Sequence, residues 1–203
     1  MNARSITVRT LVGDAIAPFV DDLARLRIQV FREWPYLYAG SVAYEAQYLQ
    51  VYTRSKRSVV ILAFDGAQVV GASTGLPLAE ESQAFISPFA AGGFRPETVF
   101  YCGESVLLPT YRGQGLGHRF FDEREAHARA LGGFAWTAFC AVDRDPADPR
   151  RPHGHRDNDV FWRKRGYTPV AGMQVALPWP EVGGDGDVPH TLTCWLRPLE
   201  VFW

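Results

Sequence analysis

The stretch Pro109-Thr-Tyr-Arg-Gly-Gln-Gly-Leu-Gly117 constrains this chain more than any other, because a glycine-dense turn stands between a strand-like run over 99–108 and a helix-like run over 116–131. Gly113, Gly115 and Gly117 carry no Cβ, so the backbone can turn tightly and come close to a ligand. A helix that begins at such a turn leaves its first N–H groups unpaired and aims the positive end of its dipole at the same spot. Strand, turn and helix in this order form a cradle for a phosphate group.

Two common phosphate loops are excluded. A P-loop needs GxxxxGK[ST], and no Lys-Ser or Lys-Thr follows these glycines. A dinucleotide fingerprint read from Gly113 puts His118 at the third glycine, and the turn comes after a hundred residues instead of at the first β–α junction.

The elements around the turn can be read from their periodicity. Residues 6–10 read as a strand, and 14–31 carry apolar residues at helical spacing with Asp14 as a candidate cap. An aromatic stretch over 31–38 follows, broken by Pro35, and 41–54 reads as a second helix begun by Ser41. Runs 58–64 and 68–75 form a hairpin across Asp65-Gly66. Residues 76–97 read as a long irregular connection. Beyond the glycine turn come a buried strand over 134–142, a Pro-, Asp- and Arg-rich stretch over 143–157 and a short helix over 157–165 closed by Gly166. Two strands, 170–177 and 191–196, flank a turn over 183–187. The expected class is α/β in the sense of an α+β mixed sheet, mostly antiparallel, with helices on both faces in one domain spanning 1–203.

A net charge of −1 over 203 residues gives no electrostatic footprint for nucleic acid, and no apolar run reaches the length of a membrane span. The lead Met1-Asn2-Ala3-Arg4-Ser5 has no apolar segment of a signal peptide. Cys102, Cys140 and Cys194 lie in apolar strands without metal-ligand spacing, which points to buried reduced thiols and a cytoplasmic location. His153-x-His155 lacks a third spaced ligand, so no metal is expected.

Arg112-Gly113-Gln114-Gly115-Leu116-Gly117 resembles the [Q/R]-x-x-G-x-[G/A] pyrophosphate-binding motif of the GCN5-related N-acetyltransferase (GNAT) family. The approach Leu107-Leu108-Pro109-Thr110-Tyr111-Arg112-Gly113 is similar to the family's V-x-P-x-Y-R-G, and Phe161-Trp162-Arg163-Lys164-Arg165-Gly166-Tyr167 to its later Y-x-x-x-G-F. The resemblance implies central strands that splay apart and acetyl-CoA as acyl donor. It implies that backbone amides from Gly113 through Gln114, Gly115, Leu116 and Gly117 to His118 hold the pyrophosphate, with Arg112 beside them. The strand residues Val106, Leu107 and Leu108 would pair with the pantetheine arm as an added strand, with the Leu107 N–H as oxyanion donor. Asn158 and Trp162 would complete the cofactor contacts.

Transfer to an amine needs a base, because a lysine-like ammonium holds its proton to a pKa of about 10.4. Glu104, three residues before Leu107, is the candidate, and it points to the site only if a bulge at Gly103 corrects the strand parity. Trp162 stands where the family carries its acidic Tyr and offers no practical proton. Tyr101, Tyr167 and Cys140 are substitutes by position, of which Tyr167 is taken as the catalytic candidate. The acceptor pocket is expected from Trp34, Tyr36, Tyr38 and Tyr44 with the loops 76–97 and 143–157, and Glu33, Glu45, Glu80 and Glu81 as acids that attract an amine. Two readings stay open: an N-acetyltransferase for a primary amine of a small molecule or peptide, or a non-catalytic acyl-CoA-binding module. A homodimer is an open option for either.

Overall fold

Residues 6–199 are described by the structure, a computed structural model; the Met1-to-Ser5 lead lies outside the described residues. Strands β1 (Ile6–Val12), β2 (Val59–Asp65) and β3 (Gln68–Pro77) pair antiparallel in that order, β2 and β3 through the Asp65-Gly66 turn, where Gly66 takes φ +60°. The β2 sequence VVILAFD lacks polar alternation because both of its faces are covered. Val60, Leu62 and Phe64 enter one core, and Val59, Ile61 and Ala63 enter the other.

The first core is closed by α1 (Val20–Phe31), α2 (Val42–Tyr48), α3 (Gln50–Arg54) and α4 (Gln83–Ala91). Helix α1 starts later than its periodicity implies. Residues 13–19 form a 3-10 segment that follows Val12, Asp14 caps nothing, and Pro18 supplies no N–H to an α-helical ladder. Ser41 does cap α2, its Oγ accepting from the Tyr44 N–H at 3.3 Å. Helix α4 corrects the reading of 76–97 as irregular: Phe85 and Phe89, one turn apart, bury the same face, a signal obscured by the prolines around it.

The 99–108 run is two strands, β4 (Val99–Tyr101) and β5 (Ser105–Leu107). Tyr101 pairs with Leu76 and Ser105 with Ser73, so residues 102–104 stand opposite only Gly75 and Thr74: a bulge of one residue. Gly103 is required there because a Cβ would lie 1.9 Å from the Tyr52 hydroxyl oxygen. Helix α5 (Leu116–Leu131) covers the second core, starts at Gly115 with φ +80° and ends at Gly132. It returns the chain to β6 (Trp136–Val142), and β6 beside β4 is the sheet's parallel pairing. After α6 (Asp159–Lys164), β7 (Thr168–Pro180) and β8 (Asp187–Pro198) close the sheet in the order β1-β2-β3-β4-β6-β8-β7. Both closing strands run longer than their apolar segments, since their hairpin stays paired out to Pro180 opposite Asp187. The three cysteines are buried, with Cys140 and Cys194 opposite each other and their sulfurs 3.2 Å apart. Among the described residues, no helix is long and apolar enough to cross a membrane.

Candidate active site

The sheet forks where β4 becomes β5. The Cys102 N–H still donates to the Ala138 carbonyl at 2.7 Å, but β5 then follows β3 while β6 stays with β8. Thr74 N–H donates to Glu104 O and Leu108 N–H to Val70 O, both at 3.0 Å. The alternation of an antiparallel ladder therefore turns the Leu107 N–H away from β3, into the side that β6 has vacated. A cavity of about 870 Å³ fills the fork and reaches both faces of the sheet. On the α5 face it is lined by Phe121, Phe139, Phe161, Trp162 and Trp195; on the α1 face by Phe31, Trp34, Tyr36 and Cys140.

The glycine turn sits at the α5 end of this cleft. Gly113 and Gly115 adopt φ +76° and +80°, conformations that a side chain would strain. The first intrahelical bond is Arg119 N–H to Gly115 O, so Leu116, Gly117 and His118 present free N–H groups. The His118 ring lies edge-on to Phe161 at 4.9 Å, and the Gln114 amide donates to the Thr110 carbonyl. Arg112 does not reach toward the turn: its Nε donates to the Leu107 carbonyl at 3.1 Å and its Nη2 meets Glu33 at 3.3 Å. Val106 is buried against the first core, and Leu108 packs between both. These residues fit an acyl-CoA: free amides at the turn, an unpaired strand edge at β5, and a gap between them.

Glu104 lines the cleft, as the bulge requires. Its Oε2 meets Arg27 Nη1 at 2.5 Å and accepts from the Tyr48 hydroxyl at 3.1 Å, while its Oε1 has no partner. Arg27 also binds Glu45 at 2.5 Å and lies over the Tyr48 and Phe31 rings at 4.1 and 5.0 Å. The signal that could have marked Arg27 is a charge at an apolar-face position of α1, four residues after Leu23 and four before Phe31, where a buried cation needs partners. Burial opposes its charge, but Glu104 and then Tyr48 and Glu45 hold its pKa above the usual guanidinium value.

Several expected site residues stand elsewhere. Tyr167 is fully buried, its hydroxyl bonded to Thr137 at 2.9 Å and Glu125 at 3.2 Å, and it does not line the cleft. Burial pushes its phenol well up. Trp162 does line the cleft, packed against Phe139 and Trp195 at about 5 Å. Asn158 reaches the same wall as the residue before α6, without a capping bond from its side chain. Of the acids, Glu45 is sealed on Arg27, Glu80 binds Ser55, and Glu81 lies within electrostatic reach of Glu104, Arg27 and Cys140, its Oε1 buried without a partner and its pKa raised to about 7 by burial, with Glu104 adding to the rise. Tyr38 is core and Tyr44 is half exposed, leaving Trp34 and Tyr36 at the cleft. His155 pairs with Asp157 at 3.3 Å, and among the described residues no group of three His, Cys, Asp or Glu could hold a metal ion.

Arg144, at the end of β6, is a further residue that the sequence did not mark. It donates to the carbonyls of Pro35 and Tyr36 at 2.5 and 2.8 Å and binds Glu181 at 2.5 Å. It ties the aromatic segment to the cleft.

No protein of curated function matches the chain by sequence. Among solved structures, an N-acetyltransferase from Staphylococcus aureus Mu50 is 12% identical with a TM-score of 0.60, over 97% of this chain and 99% of that one. An aminoglycoside 6'-N-acetyltransferase complexed with coenzyme A is 16% identical at 0.57, over 95% and 97%. YncA from Salmonella typhimurium, with its cofactor acetyl-CoA, is 14% identical at 0.53, over 96% and 94%. Likeness at such identities carries the fold. The model of the acetyltransferase (GNAT) family matches residues 23–150, more than half of the chain. This chain therefore belongs to the GNAT acetyltransferase family.

Proposed function

We propose that the chain is a single-domain N-acetyltransferase that moves the acetyl group of acetyl-CoA to a primary amine by direct transfer. The observation that carries this reading is the fork between β5 and β6, with the Leu107 N–H turned into it and the glycine turn at its end. In this reading the free amides of Leu116, Gly117 and His118 and the backbone of Gly113, Gln114 and Gly115 hold the pyrophosphate. Val106, Leu107 and Leu108 offer the strand edge to the pantetheine amides, and Phe161, Trp162 and Asn158 wall the cofactor side. Acetyl-CoA supplies the activated acyl group. The Leu107 N–H donates to its carbonyl oxygen as negative charge develops there, a stabilisation that a preformed donor provides without reorganisation.

Arg112 acts as a strut in this reading: its bond to the Leu107 carbonyl fixes the strand that carries the donor. Glu104 takes the amine proton through its unpartnered Oε1, directly or across one water, while Arg27 and Tyr48 hold Oε2. The buried Tyr167 hydroxyl, two hydrogen bonds deep behind Phe139, has no path to the reaction. The acceptor enters over Phe31, Trp34 and Tyr36. With Glu33 on Arg112, Glu104 on Arg27 and Glu181 on Arg144, packing and ring faces guide it. The three buried free thiols support a cytoplasmic location.

A CoA-release assay over panels of small amines, amino acids and peptide N-termini tests this reading, with Glu104→Gln as control. Turnover on at least one amine, lowered in the variant with acetyl-CoA affinity retained, is the expected result. Tight CoA binding without turnover on any amine refutes catalysis and favours the non-catalytic module.

A further inference from the structure

The reaction proposed above leaves the departing sulfur without a partner, because Trp162 stands at the position of the family's tyrosine and the Tyr167 hydroxyl is committed elsewhere. We propose that the hydroxyl of Tyr36, on the segment joining α1 to α2, donates a hydrogen bond to the CoA sulfur as its charge develops. This rests on the acyl-CoA reading of the fork.

Three independent observations carry it. The first is place. Tyr36 lines the cleft on the α1 face beside Phe31, and the titratable groups acting on it are the Cys140 thiol first, then Arg27 and Glu104. Cys140 lies two residues beyond Ala138, where β6 leaves β4, and Glu104 is the last residue before β5, so both mark the point of the fork. The second is rigidity. Tyr36 belongs to a connection between helices, yet its carbonyl accepts from Arg144 Nη2 at 2.8 Å and from the Trp179 indole at 3.1 Å, and Arg144 also holds the preceding carbonyl. Its ring packs on Phe31 at 4.4 Å and on Trp179 at 5.9 Å. A loop side chain held from strands β6 and β7 and from helix α1 is pre-organised in the way a catalytic donor needs to be.

The third is the unused donor. The hydroxyls of Tyr48, Tyr111 and Tyr167 each have a protein partner, whereas that of Tyr36 bonds to no described residue. Unlike the hydroxyls of Tyr38 and Tyr52, which also lack partners but are sealed in the core, that of Tyr36 stays open to the cleft, where a ligand can accept from it.

The state of the phenol decides what it does. Burial, followed by the Cys140 thiol, pushes its pKa up to about 12. A thiol titrates near 8.5, roughly three units lower, so the proton stays on the tyrosine oxygen. Tyr36 is thus a hydrogen-bond donor and not an acid. The nitrogen–carbon bond forms, the carbon–sulfur bond breaks, and the electron pair goes to sulfur. The proton lost by the amine reaches sulfur through solvent, and Tyr36 begins and ends protonated.

The test uses free CoA and needs no acceptor. The thiol of CoA bound to the wild type and to Tyr36→Phe is titrated by its ultraviolet thiolate absorption between about pH 5 and 9, short of the tyrosine midpoint near 10. Calorimetry measures CoA affinity in parallel. A thiol pKa about one unit lower in the wild type, a tenfold preference for thiolate, supports the proposal. Arg27, Arg144, Glu104 and Cys140 remain in both proteins, so the difference isolates the hydroxyl. Equal thiol pKa values with CoA bound to both overturn the Tyr36 assignment alone. Failure of CoA to bind the folded wild type overturns the acyl-CoA reading and the assignment with it. Once an acceptor is known, the rate loss in Tyr36→Phe should shrink as the acyl donor is changed to thioesters of more acidic thiols. A loss independent of the leaving group points to a purely structural tyrosine and overturns the assignment.

Discussion

Replacing Arg27 by Met removes a guanidinium that is 8% exposed and serves two carboxylates, Glu45 at 0% and Glu104 at 2%. Each is 2.5 Å away, and no other cation is bonded to either side chain among the described residues. Breaking a buried ion pair from one side costs about 3–5 kcal/mol, since the survivor keeps its charge without solvent. Here two survivors face each other, so the upper end is expected near pH 7. In a chain of this size each kcal/mol shifts the midpoint by about 2–4 °C, so Tm should fall by roughly 6–20 °C. Denaturant unfolding near pH 7 measures the loss. Arg27→Met/Glu45→Gln/Glu104→Gln should recover most of the loss, because replacing a whole buried charge set is close to neutral. A single-variant loss below about 1 kcal/mol, or a triple variant no more stable than the single, would refute the argument.

Gly103→Ala should destabilise by about 1–3 kcal/mol, because the new Cβ meets the Tyr52 hydroxyl oxygen at 1.9 Å. Adding Tyr52→Phe should return part of that in thermal melts, and no recovery would move the cause to the backbone. Glu81→Gln bears on pH. Burial raises the folded pKa of Glu81 to about 7 from an ordinary 4.5, so its stabilising protonated form is fully present below 4.5 and lost as pH climbs to about 7. The variant should be more stable than wild type above pH 7 by roughly 1–3 kcal/mol and equal to it near pH 4; a constant offset across that range counts against the buried-acid reading. Gly115→Glu puts a charge and a strained φ of +80° at the helix start, and acetyl-CoA binding by calorimetry should weaken about tenfold or more. Unchanged affinity would remove the pyrophosphate from this turn.

What the residues alone determined follows from local physics. Three glycines before an amphipathic run specify a turn and a helix start wherever they occur, and α5 begins at Leu116, where the pattern places it. The Asp65-Gly66 hairpin is equally local. Helix α4 within 76–97 is hidden at the local level, since proline and glycine punctuation masks the buried Phe85 and Phe89 that packing uses to hold it. Parity had pointed to a bulge at Gly103, but the reason only glycine fits there, the Tyr52 hydroxyl, comes from a helix fifty residues away.

The site shows the same division. Backbone amides at a turn are legible because they need no partner from elsewhere in the chain. The chemistry around them depends on contacts between distant segments. Arg27 reaches Glu104 across 77 positions, a separation at which no periodicity signals a partner. Arg144, just past the end of β6, holds Tyr36 from 108 positions on. Tyr167 matched the later family signature by position, yet packing turned its hydroxyl to Thr137 and Glu125. The glycine turn and the helix start after it are legible from the residues alone, because they rest on local backbone conformation. Which acids are paired, and which side chains line the fork, belongs to the tertiary structure, because burial and charge pairing are properties of the assembled core.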